Sequence, residues 1–343
     1  MTNLFTKGKI GSIEIKNRVV LPPMCMFCGD ETGEVTNFHH DHYVARALGG
    51  VGLIIVEATA VAPNGRIKMG DLGIWSDSQI PKLKKMVDRC HEYGSKVAIQ
   101  LGHAGRRCTS GEEPISPSDI QEDRYLKPKV MTKDDIQTVI NQFVESVKRA
   151  DEAGFDMIEL HAAHGYLLNQ FISPLTNKRT DEYGGSKENR IRIVNEILNA
   201  LEGVWPDEKS IILRISAEEY LEGGQNAYDM AEVVNLVTPK RVDLINVSTG
   251  GILTNTYEPY PGYQTKASEI IKELTPYQTI TGGLIYNPHI ADELIRNNRA
   301  DFVFIGRGLL DNPFWVYKAQ QALGVKVEWP VSYQASLSKL VIK

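Results

Sequence analysis

The 343-residue sequence predicts an α/β fold, a (β/α)8 TIM barrel forming a single domain over residues 1–343. Three observations carry that expectation. Eight short runs of β-branched and apolar residues recur along the chain, a longer stretch with helical spacing follows each, and polar residues interrupt the runs mostly at one end. The expected strands are Arg18–Leu21, Leu53–Glu57, Val97–Leu101, Met157–Leu160, Ile211–Ile215, Leu244–Val247, Gln278–Thr281 and Phe302–Ile305. Expected helices lie near His39–Leu48, Gln79–Tyr93, Lys133–Ala153, Glu188–Leu201, Ala227–Val237, Lys266–Leu274, Pro288–Asn297 and Pro313–Leu323. An open doubly wound sheet usually has fewer strands, so the count favours closure. The runs are continuously apolar, as parallel strands need when one face fills a barrel and the other lies beneath helices.

One connection stands apart. Residues 102–131 are polar and punctuated by Pro114, Pro117 and Pro128, far longer than an ordinary loop between a strand and its helix. It follows the third strand, which places it on the C-terminal face of the barrel as a long loop or lid, with a tolerated surface insertion as the plain alternative.

Composition narrows the function classes. Hydrophobic residues make up 42% and charged residues 24%, the balance of a globular chain with a full-sized core. With 38 basic against 43 acidic residues the net charge is −5, so no positive excess exists to neutralise a nucleic-acid backbone. Apolar runs are too short to span a membrane and the first residues lack the apolar core of a signal peptide. Four cysteines in a chain this long read as thiols in a reducing, cytoplasmic setting.

In a barrel, the C-terminal strand ends converge on one mouth, so unusual residues there are the functional candidates. After the first strand come Pro22, Pro23, Met24 and Cys25; after the second, Ala58; at the end of the third, Gln100, with His103 beyond. His161 and His164 follow the fourth strand in His-Ala-Ala-His-Gly-Tyr166 and converge only if the chain turns there, which places both on the turn. His-Glu-x-x-His is absent and no carboxylate completes a ligand set, so no metal site is expected; hydrogen-bonded structural histidines are the plain alternative. Arg214 interrupts an apolar strand, and a buried guanidinium demands an anionic ligand or a structural ion pair, for instance with Glu159. The Cys25-x-x-Cys28 spacing lacks a second cysteine pair for zinc and a suitable helix start for redox work, so it reads as coincidence. The last two strands end in Gly282-Gly283 and Gly306-Arg307-Gly308, where barrels often bind phosphate. Tight turns explain the glycines equally well but leave Arg307 without a role.

Taken together, several segments resemble the Old Yellow Enzyme family of flavoproteins, in its thermophilic-like branch. They are Asn17-Arg-Val-Val-Leu-Pro-Pro-Met-Cys-Met26, Gly52-Leu-Ile-Ile-Val-Glu-Ala58, Ile99-Gln-Leu-Gly-His-Ala-Gly-Arg106 and His161-Ala-Ala-His-Gly-Tyr-Leu167. Ser173-Pro-Leu-Thr-Asn-Lys-Arg-Thr-Asp-Glu-Tyr-Gly-Gly-Ser186, Pro261-Gly-Tyr263 and Phe304-Ile-Gly-Arg-Gly-Leu-Leu310 extend the match over nearly the whole chain. The resemblance implies non-covalent FMN as cofactor and NADPH or NADH as reductant. It implies that Pro22, Pro23, Met24, Cys25 and Ala58 line the flavin ring, Gln100 and Arg214 meet its pyrimidine side, and Gly282, Gly283, Gly306 and Arg307 hold its phosphate. By the same resemblance the activity is ping-pong reduction of the activated C=C bond of α,β-unsaturated carbonyl or nitro compounds. His161 and His164 would hydrogen-bond the carbonyl oxygen and Tyr166 would protonate the α-carbon.

Two departures stand out. Phe27 occupies a substrate-side position that is tyrosine in the branch, which shifts the expected substrate preference, and no arginine follows Arg307 to complete a neighbour's site. A homo-oligomer therefore stays open, and the expected partners are a small enone-type substrate, with no nucleic acid and no membrane. Rival readings are the barrel of a larger dienoyl-CoA or 2-enoate reductase, a non-catalytic flavin-binding module, and a flavin-free barrel for a sugar phosphate. The cysteine-free tail ending at Lys343 favours a stand-alone barrel over the first.

Overall fold

The computed structural model describes residues 3–238, 241–253, 257–327 and 329–337, so both ends of the expected domain, and the last residues of its arginine-free tail, lie outside the described residues. The barrel strands are β1 (Val19–Leu21), β2 (Leu53–Ala60), β3 (Lys96–Gly102), β4 (Met157–Ala162), β5 (Ser210–Ser216), β6 (Leu244–Ser248), β7 (Gln278–Thr281) and β8 (Phe302–Phe304). Each lies parallel to its neighbour. Pairing of Val303 with Val19 and of Val20 with Leu53 closes the sheet on itself. The principal helices are α1 (Asn37–Leu48), α2 (Ile80–His91), α3 (Lys133–Glu152), α4 (Lys187–Ala200), α5 (Ala227–Asn235), α6 (Thr265–Leu274), α7 (Pro288–Arg296) and α8 (Trp315–Ala322). All sixteen elements coincide with the sequence expectation to within a few residues at their ends.

The helices form for local reasons and stay for tertiary ones. At α3, the Thr132 hydroxyl accepts from the Asp135 N–H while the Asp135 carboxylate accepts from the Thr132 N–H, a reciprocal cap that satisfies two otherwise unmet donors. In α2, Leu83, Met86, Val87 and Cys90 recur at helical spacing and bury one stripe against the barrel.

Alternation along the strands sorts side chains into two cores. Ile54, Val56, Val97, Ile99, Ile158, Leu160, Leu213, Ile245 and Val303 pack outward beneath the helices. Val20, Leu53, Ile55, Ala98, Met157, Ile212, Leu244, Ile280 and Phe302 fill the inside. An N-terminal hairpin, Gly8–Ile10 with Ile13–Ile15, adds Ile10 and Ile15 to that inner core and so plugs the bottom. Sequence reading missed it, because strands of three residues carry too little periodicity.

The long connection after β3 is not structureless. It opens with a 3-10 turn at Gly105–Arg107, and Ile115–Ser116 pairs with Lys129–Val130. The later segment around Asn177 anchors it: Arg179 donates to the carbonyls of Met131 (2.6 Å) and Pro117 (3.2 Å). Among the described residues, no helix is long and apolar enough to cross a membrane.

Candidate active site

Above the apolar inner layer the same strands present a polar one. Gln100, Glu159, Arg214 and Asn246 all point inward, with Gln100 beside Glu159 in register and Arg214 between His161 and Asn246. Glu159 is fully buried, and its two oxygens accept from Gln100 Nε2 (2.7 Å) and Asn246 Nδ2 (2.6 Å). Arg214 reaches Glu159 only at 4.0 Å, and its Nε and Nη1 are buried without a partner. The structural ion pair therefore leaves the guanidinium unsatisfied. Each unmet buried donor costs about 1–3 kcal/mol, more when charged, so the layer is built for something further. Burial pulls the Arg214 pKa down against the attraction of Glu159, and pushes that of Glu159 up.

Arg214 lines a cavity of about 360 Å³ at the mouth, shared with Pro22, Pro23, Met24, His164, Gly283, Gly306 and Arg307. Phe304, Tyr257, Tyr263 and Gln264 also line it; the sequence assigns none of these four a role, although Tyr263 and Phe304 lie in matching segments. Gly283 holds φ +94°, a left-handed conformation that side chains strain, at the cavity's edge. Cys25, Gln100 and Gly282 do not line this cavity, and Ala58, His161 and Tyr166 line a smaller space instead. Gln100 is committed to Glu159 from below.

His161 is not on the turn as expected. It lies within β4, points inward, and packs edge-on to His164 (ring centroids 5.3 Å) and Tyr166 (5.0 Å). The turn begins after it, where His164 takes φ +59° and Gly165 +73°. This left-handed pair brings His164 back beside His161. Its Nε2 sits 2.7 Å from Ser248 Oγ, which accepts from Gln264 Nε2 at 2.9 Å. Burial pushes the His164 pKa down to about 3, helped by the charges of Arg214 and Arg107, and holds His161 well below its usual value. Both rings are neutral at pH 7. Burial also raises the Tyr166 phenol above its usual range, so it stays protonated.

A clamp from the long loop fixes this turn. Arg107 donates from Nη1 to the carbonyls of His164 and Gly251, both at 2.5 Å, while Glu122 takes its Nε (2.9 Å) and Nη2 (3.0 Å). A Cβ on Gly165 would collide with Gly251 O and with this guanidinium. Sequence reading missed Arg107 and Glu122, since loops have no period to break.

Phe27, at φ +55°, lies beneath Lys68, whose Nζ is 3.7 Å from the ring centroid. The segment carrying it is pinned by Glu57, which accepts from the Met26 N–H (2.8 Å) and the Tyr43 hydroxyl (3.1 Å). Burial pushes the Glu57 pKa up to about 7. Cys25 and Cys28 are both free thiols, and burial with the nearby Asp71 and Glu57 charges holds the Cys25 thiol well above its usual range.

The description of the NADH:flavin oxidoreductase / NADH oxidase family matches residues 3–325. The chain belongs to that family. It is 47% identical over 339 residues to the NADPH dehydrogenase of Clostridium acetobutylicum, covering 98% of this chain and 99% of that one. The solved old yellow enzyme homologue of Zymomonas mobilis superposes with a TM-score of 0.82 at 25% identity, covering 96% of this chain and 95% of the other. A 2-naphthoyl-CoA reductase superposes with a TM-score of 0.88 at 24% identity over 94% of this chain, which spans about half (52%) of that longer chain and shares its fold. Membership makes this chain an NAD(P)H-dependent oxidoreductase with FMN as cofactor, and the likeness to the Old Yellow Enzyme family is borne out at the level of the family. The site fits that group: an aromatic, proline-walled cavity offers a buried guanidinium with two unmet donors, and Arg307 at its rim.

Proposed function

We propose that the chain is an ene-reductase that reduces the activated C=C bond of α,β-unsaturated carbonyl or nitro compounds in a ping-pong cycle. The observation that carries the reading is the unsatisfied Arg214 guanidinium, facing a cavity lined by the neutral His164, whose ring packs edge-on against His161, itself edge-on to the protonated Tyr166. Pro22, Pro23, Met24, Cys25 and Ala58 border the flavin ring. Gln100 and Arg214 take its pyrimidine side, and Gly282, Gly283, Gly306 and Arg307 its phosphate. When bound, FMN supplies two-electron transfer from NAD(P)H to the acceptor.

The remaining work belongs to the side chains. Ser248 Oγ already accepts from Gln264, so its hydroxyl proton is free for His164 Nε2. With Ser248 donating, the His164 proton sits on Nδ1, a neutral donor for a carbonyl oxygen on which charge grows. His161 stands beside it, and Tyr166 delivers a proton to the α-carbon. Phe27 gives the substrate side an apolar surface without a hydroxyl. Four free thiols among the described residues suit a reducing, cytoplasmic setting.

An anaerobic titration tests this. The yellow protein is expected to bleach with NADPH and regain colour on adding 2-cyclohexenone. Bleaching that no enone or nitroalkene reverses contradicts the reading.

A further inference from the structure

Beside Tyr166, away from the main cavity, lies a second and much smaller space of about 10 Å³, bordered by Asp71, Gly102, His103, His161 and Tyr166. That is about the room one water molecule requires, provided it finds two to four polar partners. Three partners stand ready. Asp71 Oδ1, His103 Nε2 and His161 Nδ1 are buried and unpartnered, on residues only 2%, 2% and 4% exposed. Their other atoms explain why. Asp71 Oδ2 is used by the Ile67 N–H (2.5 Å), and His103 Nδ1 accepts from the Gly105 N–H (3.0 Å). Burial holds His103 near 3 and therefore neutral, so its single proton sits on Nε2 as an unmet donor. Three residues that line one water-sized space each carry an orphaned buried atom, and one water accounts for all three.

We infer that this space holds an ordered water through which Asp71 returns a proton to Tyr166 after each turnover. The inference rests on the reading of Tyr166 as the acid. Having given its proton to the α-carbon, the Tyr166 phenolate takes one from the water as a water O–H bond breaks. The water is refilled from the Asp71 carboxyl, and the resulting carboxylate is reprotonated from solvent; nothing is oxidised or reduced. Burial holds the Asp71 carboxyl up to about 6, so a fraction of it carries a proton near neutrality. Asp71 touches no substrate and acts through Tyr166; it is a positioning residue for the proton.

A first turnover does not need the relay, because Tyr166 begins protonated, whereas every later one does. The test compares single-turnover oxidation of the prereduced enzyme by 2-cyclohexenone with steady-state turnover. Asp71→Asn is expected to leave the first within about twofold and to lower the second about tenfold, with a larger solvent isotope effect. Gly102→Ala keeps every polar group and places a methyl 3.4 Å from His161 Cβ, an ordinary contact, where it displaces the water. It is expected to give the same split even if the Asp71 variant fails to fold. A crystal structure should show a water on Asp71 Oδ1 and His103 Nε2 in the native protein and none in Gly102→Ala. An equal fall in both rates, or no fall in steady state, overturns the relay. Tyr166→Phe separates the two ideas: if it slows the single turnover while Asp71→Asn changes nothing, the relay alone fails. If it does not slow the single turnover, the acid assignment fails and takes the relay with it.

Discussion

The lower and upper halves of the barrel interior come from alternate residues of the same strands, yet they obey opposite rules. Below, Leu53, Ile55, Met157, Ile212 and Phe302 are packed to zero exposure around the plugging hairpin. Above, two residues further along β4 and β5, stand Glu159 and Arg214, and past them His161 with an unmatched nitrogen. The lower layer is worth its area removed from water. The upper layer is costly in the protein alone and is tolerated where a ligand completes it. Stability and function are thus separated by a few ångströms along one strand, and substitutions in the two layers should fail in different ways.

The largest expected effect is on the lower layer: Phe302→Ala should cost about 3–5 kcal/mol in urea unfolding with the FMN affinity of the folded fraction unchanged. A loss below about 1 kcal/mol would mean that this layer is not the packed support described. Next, Tyr166→Phe should slow oxidation by enones about 100-fold or more while leaving reduction by NADPH within about threefold, as read by stopped flow. Equal slowing of both halves removes its role as acid. Third comes a pH effect at the buried Glu57 carboxyl. Folding raises Glu57 from 4.5 to about 7, so the native state favours the protonated form. That contribution is present below the unfolded value and is lost as pH rises through 7. Glutamine cannot ionise, so Glu57→Gln should gain about 2 kcal/mol on the wild type between about pH 5 and about pH 8. A pH-independent difference contradicts the buried-acid description. The smallest effect concerns the clamp: Arg107→Lys replaces a fork that serves four partners, Glu122 and the carbonyls of His164, Gly251 and Ile252, with a point charge, and should lower kcat/KM for enones about tenfold without changing FMN content. An unchanged kcat/KM shows that the His164 turn holds itself.

Much of this architecture was legible because period and composition speak for buried parallel strands. Arg214 was legible for the same reason, being the one charge that the run Ile211–Ile215 cannot bury unaided. The direction of Glu159 was not, since whether an inward carboxylate reaches a neighbouring guanidinium depends on ångström-scale placement that spacing does not encode. A period of two puts His161 and His164 on opposite faces and so predicts a turn for both; the left-handed pair His164-Gly165 supplies the rotation instead. Arg107, Glu122 and Asp71 lie in connections, where side-chain pairing is set by how loops from distant strands pack together.

The central claim is that Arg214, paired with Glu159 only at 4.0 Å and without a hydrogen bond on Nε or Nη1, keeps those donors for a flavin. Its most direct measurement is FMN dissociation from Arg214→Met, followed by flavin fluorescence alongside urea unfolding of the apoprotein. Replacing unmet charged donors should weaken FMN binding about 10-fold to 100-fold and cost the apoprotein less than about 1 kcal/mol. Unchanged FMN affinity together with a loss of several kcal/mol would instead make Arg214 a structural partner of Glu159 and contradict the account.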